Sequence, residues 1–375
     1  MAGSTFGTHF KITTWGESHG KGIGVVVDGC PAGLPLEETD IQKYLNRRKP
    51  GQSKFSTQRK ETDTIEILSG IFEGKTTGTP ISMMVHNEDQ RSRDYGDIAS
   101  YYRPGHADYT FDMKYGFRDY RGGGRSSGRE TIGRVAGGAI AAKILQQLGI
   151  SFLTYTRSIG PVSISKSPEE ILLENPINLL EQIQSNPLYM PDISTCKAAQ
   201  SFLETCMKQK NSAGGIIEGI ITGVPAGIGE PVFDKLDANL AKAIFSIGAV
   251  KGFEIGDGFA AASSTGFENN DALQTQQGRA TFSTNHAGGI LGGISNGSPI
   301  IFRAAIKPTP SIAATQQTIN KHGENIEISI HGRHDPIIVP RAVVVVESMA
   351  ALTILDLIIE HMGNRLEYLN LSSLK

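Results

Sequence analysis

From Arg103 to Arg134 the chain carries six arginines, seven glycines and one histidine, with almost no aliphatic side chains. Such a mixture is excluded from a hydrophobic core and reads as an anion cradle around which the rest must fold. Arginine presents a planar donor fork that matches phosphate and carboxylate oxygens in pairs, and glycine lets backbone N–H groups approach the same oxygens. Both occur in Gly122-Gly123-Gly124-Arg125-Ser126-Ser127-Gly128-Arg129. Just upstream, Arg103-Pro104-Gly105-His106-Ala107-Asp108 sets an imidazole three residues from a guanidinium. That spacing either depresses the histidine pKa or lets both groups grip one anion, and it makes His106 a proton-donor candidate. Six arginines in so short a span would repel one another without an anion to share.

The formal net charge is only −2, so the arginines are a local concentration and the expected ligand is a small polyanion, not nucleic acid. A length of 375 residues admits one large domain or two. No linker or fixed-period repeat divides the chain, which favours a single domain over residues 1–375. The 44 glycines, about 12%, exceed the ordinary ~7% and imply many tight turns or ligand loops. Three cysteines, Cys30, Cys196 and Cys206, match neither a zinc pair nor a disulfide framework, so no metal is expected and a reducing cytoplasm fits. No apolar leader opens the chain, and no uninterrupted apolar run approaches the roughly 20 residues needed to cross a bilayer, so no membrane association is expected.

Short β-branched segments predict strands at Gly22 to Asp28, Thr64 to Ser69, Ile81 to Val85, Ile216 to Thr222, Ile300 to Ile306, Ile326 to His331 and Ala342 to Glu347. Apolar residues at helical spacing predict helices over Arg134 to Leu148, Ile193 to Lys210, Leu236 to Ile247 and Met349 to Met362. Ser167-Pro168-Glu169-Glu170 has the form of a capping box starting another. Gly266 to Thr284 reads as a long surface loop. The sum is a mixed α/β chain.

Other motifs are weak singly. Gly16-Glu17-Ser18-His19-Gly20-Lys21-Gly22 lacks the spacing of a P-loop, leaving an imidazole between glycines just before a strand. Gly122-x-Gly124 follows no buried strand and misplaces its third glycine, so a Rossmann site is not expected. Arg47 to Lys60 is a second basic cluster on a Pro/Gly loop, ordinarily a solvated charge run. Gly288 to Ile294 offers bare backbone, and Lys307-Pro308-Thr309-Pro310-Ser311 a cation with hydroxyls, both suited to a flavin or nucleotide phosphate. Gly332-Arg333-His334-Asp335-Pro336 reads as an Asp-Pro turn whose carboxylate has charged neighbours.

Taken in order, Gly16 to Gly20, Arg103 to Asp108, Gly124 to Thr131, Asn285-His286-Ala287-Gly288-Gly289, Lys307 to Thr309 and Gly332 to Pro336 closely resemble the chorismate synthase family along the whole chain. Gly128 stands where alanine is more usual in that family. The resemblance implies an α+β fold of β-α-β sandwich type, a homotetramer, and a reduced FMN cofactor. It implies the last shikimate-pathway step, the anti-1,4-elimination of phosphate and a proton from 5-enolpyruvylshikimate 3-phosphate to give chorismate. Arg48, Lys54, Arg103, Arg129 and Arg134 become substrate-side residues, with Arg48 and Lys54 also open to an NADPH contact. Arg125, Ser126, Ser127, Gly248, Ala249, Gly292, Lys307, Pro308, Thr309, Pro310, Ser311 and Arg333 become FMN-side residues. His106 is assigned to protonating the departing phosphate, His19 to balancing charge at flavin N1, and Asp335 to receiving the proton by way of N5. The sequence leaves two arrangements open, reduction of the flavin by the chain itself with NADPH and supply of reduced flavin from elsewhere, and the missing dinucleotide fingerprint leans towards the second, with NADPH as an indirect reductant. The competing readings are a flavin-independent phosphate-releasing enzyme using the same cradle and, more remotely, an RNA-binding module on the Arg47 to Lys60 loop.

Overall fold

Two antiparallel five-stranded sheets enclose a helical layer in this computed structural model, which describes residues 3–56, 61–88, 97–330 and 335–368. The first sheet holds β1 (Thr5–Phe6), β2 (Lys11–Gly16), β3 (Gly22–Asp28), β4 (Ile65–Ile67) and β5 (Ile81–His86), in the order β1-β2-β3-β5-β4. The second holds β6 (Ser151–Ile159), β7 (Val162–Ser163), β8 (Gly215–Thr222), β9 (Val250–Ile255) and β10 (Ile300–Ile306), in the order β9-β10-β8-β6-β7. The helices are α1 (Glu38–Arg48), α2 (Asp108–Tyr115), α3 (Thr131–Gln147), α4 (Pro168–Leu172), α5 (Pro176–Ser185), α6 (Ile193–Lys208), α7 (Leu236–Phe245), α8 (Gly266–Asn269) and α9 (Val339–His361).

Helix α3 lies on β2 and β3, helix α9 lies on β6 and β8, and the two helices pack against each other, which gives the expected β-α-β sandwich. Small residues make the close approach possible. A Cβ at Gly137 would sit 2.6 Å from Ile12 Cγ2 of the first sheet, and one at Gly138 would sit 2.3 Å from Ser348 Cβ of α9. Glycine inside a helix costs about 1 kcal/mol relative to alanine, and here that cost is offset by contact between layers. One apolar cluster runs through both sheets and the helices between them, including Val25, Ile140, Val346 and Phe302.

The strands expected at Gly22 to Asp28 and Ile300 to Ile306 are found with those bounds. The Ser167 capping box is present, with its hydroxyl accepting from Glu170 N at 3.2 Å. Ala342 to Glu347, expected as a strand, is instead the first half of α9, whose second half is the expected helix from Met349. Val343, Val344, Val345 and Val346 are all buried, so a run enclosed on every side has no helical or strand period to display. Helix α9 is long and apolar enough to span a bilayer, yet it is mostly buried between the sheets. Gly266 to Thr284 is not a plain loop, for it holds α8 and a hairpin of Leu273–Gln276, an exposed strand, with Arg279–Phe282. Of the strand expected over Ile326 to His331, Asn325–Ile328 is formed, and His331 lies outside the described residues.

Candidate active site

The glycine loop turns sharply because Gly122, Gly123 and Gly124 all have left-handed φ values of +68°, +92° and +54°. L side chains rarely adopt that conformation in succession. The loop packs on the turn between β2 and β3, where a Cβ at Gly122 would stand 2.2 Å from His19 Cε1. His19 is therefore a buried imidazole held between backbone segments, with Ser18 Oγ 3.1 Å from its Nδ1. Asn87 Nδ2 donates to both Glu17 O and Gly20 O at 2.9 Å, fixing the turn from β5.

A cavity of about 1190 Å³ opens beside this loop. Its wall includes Arg48, His106, Arg125, Ser126, Ser127, Arg134, Gly248, Ala249, Lys307, Thr309, Pro310 and Asp335, all sequence-expected site residues. Phe111, Tyr115, Phe117, Ile247 and Ile338 add apolar surface. Space of this size exceeds most single-ligand pockets and admits two small molecules together. Ala249 takes a left-handed φ of +74°, a strained conformation for a residue with a Cβ, of the kind that clusters at ligand sites.

His106 lies in the turn ahead of α2, its Nε2 2.7 Å from Ser311 Oγ. Lys307 Nζ donates to Gly105 O at 2.6 Å, so the 307–311 segment is docked on the His106 turn. Burial and the nearby Lys251 ammonium both lower the Lys307 pKa. Asp335 pairs with Arg341 Nη1 at 2.7 Å, and Arg341 Nε donates to Arg48 O at 3.0 Å, so one arginine in the first turn of α9 ties two sides of the cavity together.

The cradle arginines do not wait for a ligand to relieve their repulsion, because carboxylates are interleaved with them. Arg103 Nε and Nη2 hold Asp108 at 2.7 and 2.8 Å, and Arg118 Nη1 holds Asp112 at 2.6 Å. Burial pushes the Asp108 carboxyl up, but hydrogen bonds and charge from Arg103 outweigh it and leave the pKa below the ordinary range. The Arg103 charge that was expected to bear on His106 is thus matched by Asp108. Arg134 Nε lies 2.9 Å from Glu130 Oε2, while its Nη1 donates to Ser246 Oγ at 2.6 Å. Arg125 donates to Gly16 O at 3.0 Å and Thr14 Oγ1 at 2.6 Å, bracing the loop on β2.

His19, Arg103, Arg129, Pro308 and Ser311 are not wall residues but adjoin it. Ser311 does so through His106, Arg103 through Gly123, and His19 one step further off, through Gly122 next to the wall residue Gly123. Two expected residues lie elsewhere. Lys54 is exposed and paired with Glu204 at 2.6 Å on α6, so it does not join Arg48 at the wall, and Gly292 is in the tight turn between Ile290–Leu291 and Ile294–Ser295. Arg333 lies outside the described residues. Arg341 and Glu130 were missed. The signal for Arg341 was a cation in the first turn of a helix, where the macrodipole disfavours it, but reading that segment as a strand concealed it.

Within this mixed α/β sandwich, the arginine, lysine and histidine side chains of the cavity wall have the chemistry that suits an anionic ligand. The chorismate synthase family model matches residues 10–359. The chain is 68% identical to the chorismate synthase of Agathobacter rectalis over 98% of both chains, and 55% identical to that of Methanosarcina mazei over 95% of this chain and 96% of the other. A crystal structure of chorismate synthase superposes with a TM-score of 0.76 at 32% identity, covering 96% of this chain and 94% of that one. The chain belongs to the chorismate synthase family, carbon–oxygen lyases of aromatic amino-acid biosynthesis. Membership favours the lyase over both the flavin-independent enzyme and the RNA-binding module.

Proposed function

We propose that residues 1–375 form one catalytic domain that converts 5-enolpyruvylshikimate 3-phosphate to chorismate with reduced FMN, in the cavity beside the glycine loop. The observation that carries this reading is the set of buried polar atoms without hydrogen-bond partners among the described residues. They include Thr309 Oγ1 in the wall itself, Arg48 Nε, and Arg129 Nη2 next to the wall residue Gly128. A buried donor left unpaired costs about 1–3 kcal/mol, so three around one cavity fit a site that a polar ligand completes.

The residues present fit FMN. Ser126, Ser127, Gly248, Ala249 and Lys307 to Ser311 would hold its polar groups, with Arg125 bracing the loop, and the aromatic wall of Phe111, Tyr115 and Phe117 suits a flat ring. When bound, reduced FMN would supply electron density for the expulsion of phosphate and an acceptor for the substrate hydrogen. The chain's own residues do the rest. Arg48, Arg129 and Arg134 bind the anionic substrate, each charge-assisted contact contributing about 1.5–3 kcal/mol. His106 gives a proton to the phosphate oxygen as the carbon–oxygen bond breaks, His19 balances charge deep in the site, and Asp335, its carboxylate paired with Arg341, receives a proton. The cytoplasm and a homotetrameric assembly complete the reading, with NADPH as an indirect reductant.

The test is an anaerobic assay with chemically reduced FMN and 5-enolpyruvylshikimate 3-phosphate, following phosphate and chorismate together. Equal release of both products only with reduced flavin is expected. Phosphate without chorismate, or turnover indifferent to flavin, refutes the reading.

A further inference from the structure

Two buried arginines of the site, Arg48 and Arg129, share one carboxylate. Asp63 precedes β4, has no exposed side-chain surface, and holds a left-handed φ of +48°. Its Oδ2 accepts from Arg48 Nη2 at 2.5 Å and its Oδ1 from Arg129 Nη1 at 3.1 Å, partners 15 and 66 residues away in the chain. Arg48 comes from the end of α1, and Arg129 from the short turn leading into α3.

Two guanidiniums on one buried carboxylate repel each other, and the carboxylate between them offsets part of that repulsion while fixing their spacing, although burial and the Arg48 charge still leave the Arg129 pKa lowered. Burial alone would push the Asp63 carboxyl up, but Arg48 and then Arg129 hold its pKa below the ordinary range. The segment is anchored from outside the site, since Gln42 Nε2 donates to Asp63 O at 3.2 Å and Gln42 Oε1 accepts from Ile65 N at 3.1 Å. A non-glycine residue in the left-handed region costs on the order of 1–3 kcal/mol, which persists only where surrounding contacts over-determine it. Each guanidinium nevertheless keeps a buried donor, Arg48 Nε and Arg129 Nη2, without a partner among the described residues.

We infer that Asp63 is a positioning residue for the substrate's phosphate: it locks Arg48 and Arg129 at one spacing and leaves a donor on each for phosphate oxygens. The inference rests on the proposed function for the identity of the anion, but its geometry does not. Glu61, 3.3 Å from Arg129, helps on one side only, so Asp63 alone joins the two arginines among the described residues.

The experiment compares wild type, Asp63→Asn and Gln42→Ala. Inorganic phosphate binding is read by calorimetry, KM and kcat by the anaerobic assay, and FMN binding by fluorescence. Asp63→Asn is expected to weaken inorganic phosphate binding and raise KM by about tenfold or more, the loss of one charge-assisted contact, with kcat changed much less and FMN affinity unchanged. Gln42→Ala, which loosens the same segment from a distance, should shift both in the same direction by less. Phosphate affinity that is unchanged or tightened in Asp63→Asn overturns the inference, as does FMN affinity lost in parallel, which would mean general collapse. Should Asp63→Asn not fold, Gln42→Ala decides, and unchanged phosphate affinity there refutes the proposal. Wild-type protein that binds phosphate but makes no chorismate refutes the function while leaving the Asp63 comparison readable.

Discussion

Buried ionised groups in the second sheet and in the cradle differ in one respect: those of the cradle lie at the cavity beside the glycine loop. Across the second sheet, Tyr155, Glu218, Arg303 and Glu254 stand in cross-strand register on β6, β8, β10 and β9. Glu218, fully buried, accepts from Tyr155 Oη at 2.5 Å and Arg157 Nη1 at 2.8 Å, and Arg303 Nε reaches Glu254 at 2.6 Å. Burial and the Glu218 carboxylate drive the Tyr155 hydroxyl pKa far up, so it stays a donor. None of these residues lines the cavity. In the cradle the partners come from separate segments, and buried arginine donors remain without a partner among the described residues, Arg48 Nε in the cavity wall and Arg129 Nη2 beside the wall residue Gly128. Buried charge therefore does not by itself mark a site; buried charge with leftover donors at a cavity does.

The contrast can be broken by substitution. The largest effect is expected in the cradle, where His106→Ala should lower kcat by about 10²–10⁴ with FMN binding retained; normal turnover would remove its proton-donor role. In the sheet row, Glu218→Ala should cost about 3–5 kcal/mol of stability, read by denaturant unfolding, while kcat/KM stays at the wild-type value wherever the protein is folded. Acid sharpens the same division. Asp63 and Asp108 have folded pKa values lowered from 3.8, so the unfolded chain binds more protons between the two values. Their stabilisation is complete above the ordinary carboxylate range and is lost as pH falls through the lowered values. A thermal-melting series should show Tm falling below about pH 4, with a shallower fall in Asp63→Asn than in wild type. The smallest effect is expected at a helix cap that belongs to neither set of ion pairs, where Ser167→Ala should cost about 0.5–1 kcal/mol with no kinetic change.

Much of this was legible in the sequence, and the gaps have physical causes. The glycine loop, His19, His106 and the 307–311 segment could be read as site material because glycine and arginine crowd there without apolar partners. The pairing of Arg103 with Asp108 and of Arg134 with Glu130 was equally local, yet counting cations alone led to the expectation that only a ligand could offset their repulsion. Asp63 gave no signal, since its partners are distant in the chain. Helix α9 was split because its valine run is enclosed on all sides, and β-branched content then favours the wrong element. Strand β2 and helix α1, which carry Thr14 and Arg48, were also unforeseen, being short or polar-faced.

A matched pair of charge-conserving substitutions tests the central claim most directly: Arg48→Lys in the cradle and Arg157→Lys in the sheet row, compared by anaerobic kcat/KM at a temperature where both are folded. Lysine keeps the charge but loses the fork. The account predicts a loss of about tenfold or more for Arg48→Lys, on the scale of one charge-assisted contact, and wild-type kcat/KM for Arg157→Lys. Equal losses in the two variants, or a loss confined to Arg157→Lys, would contradict it.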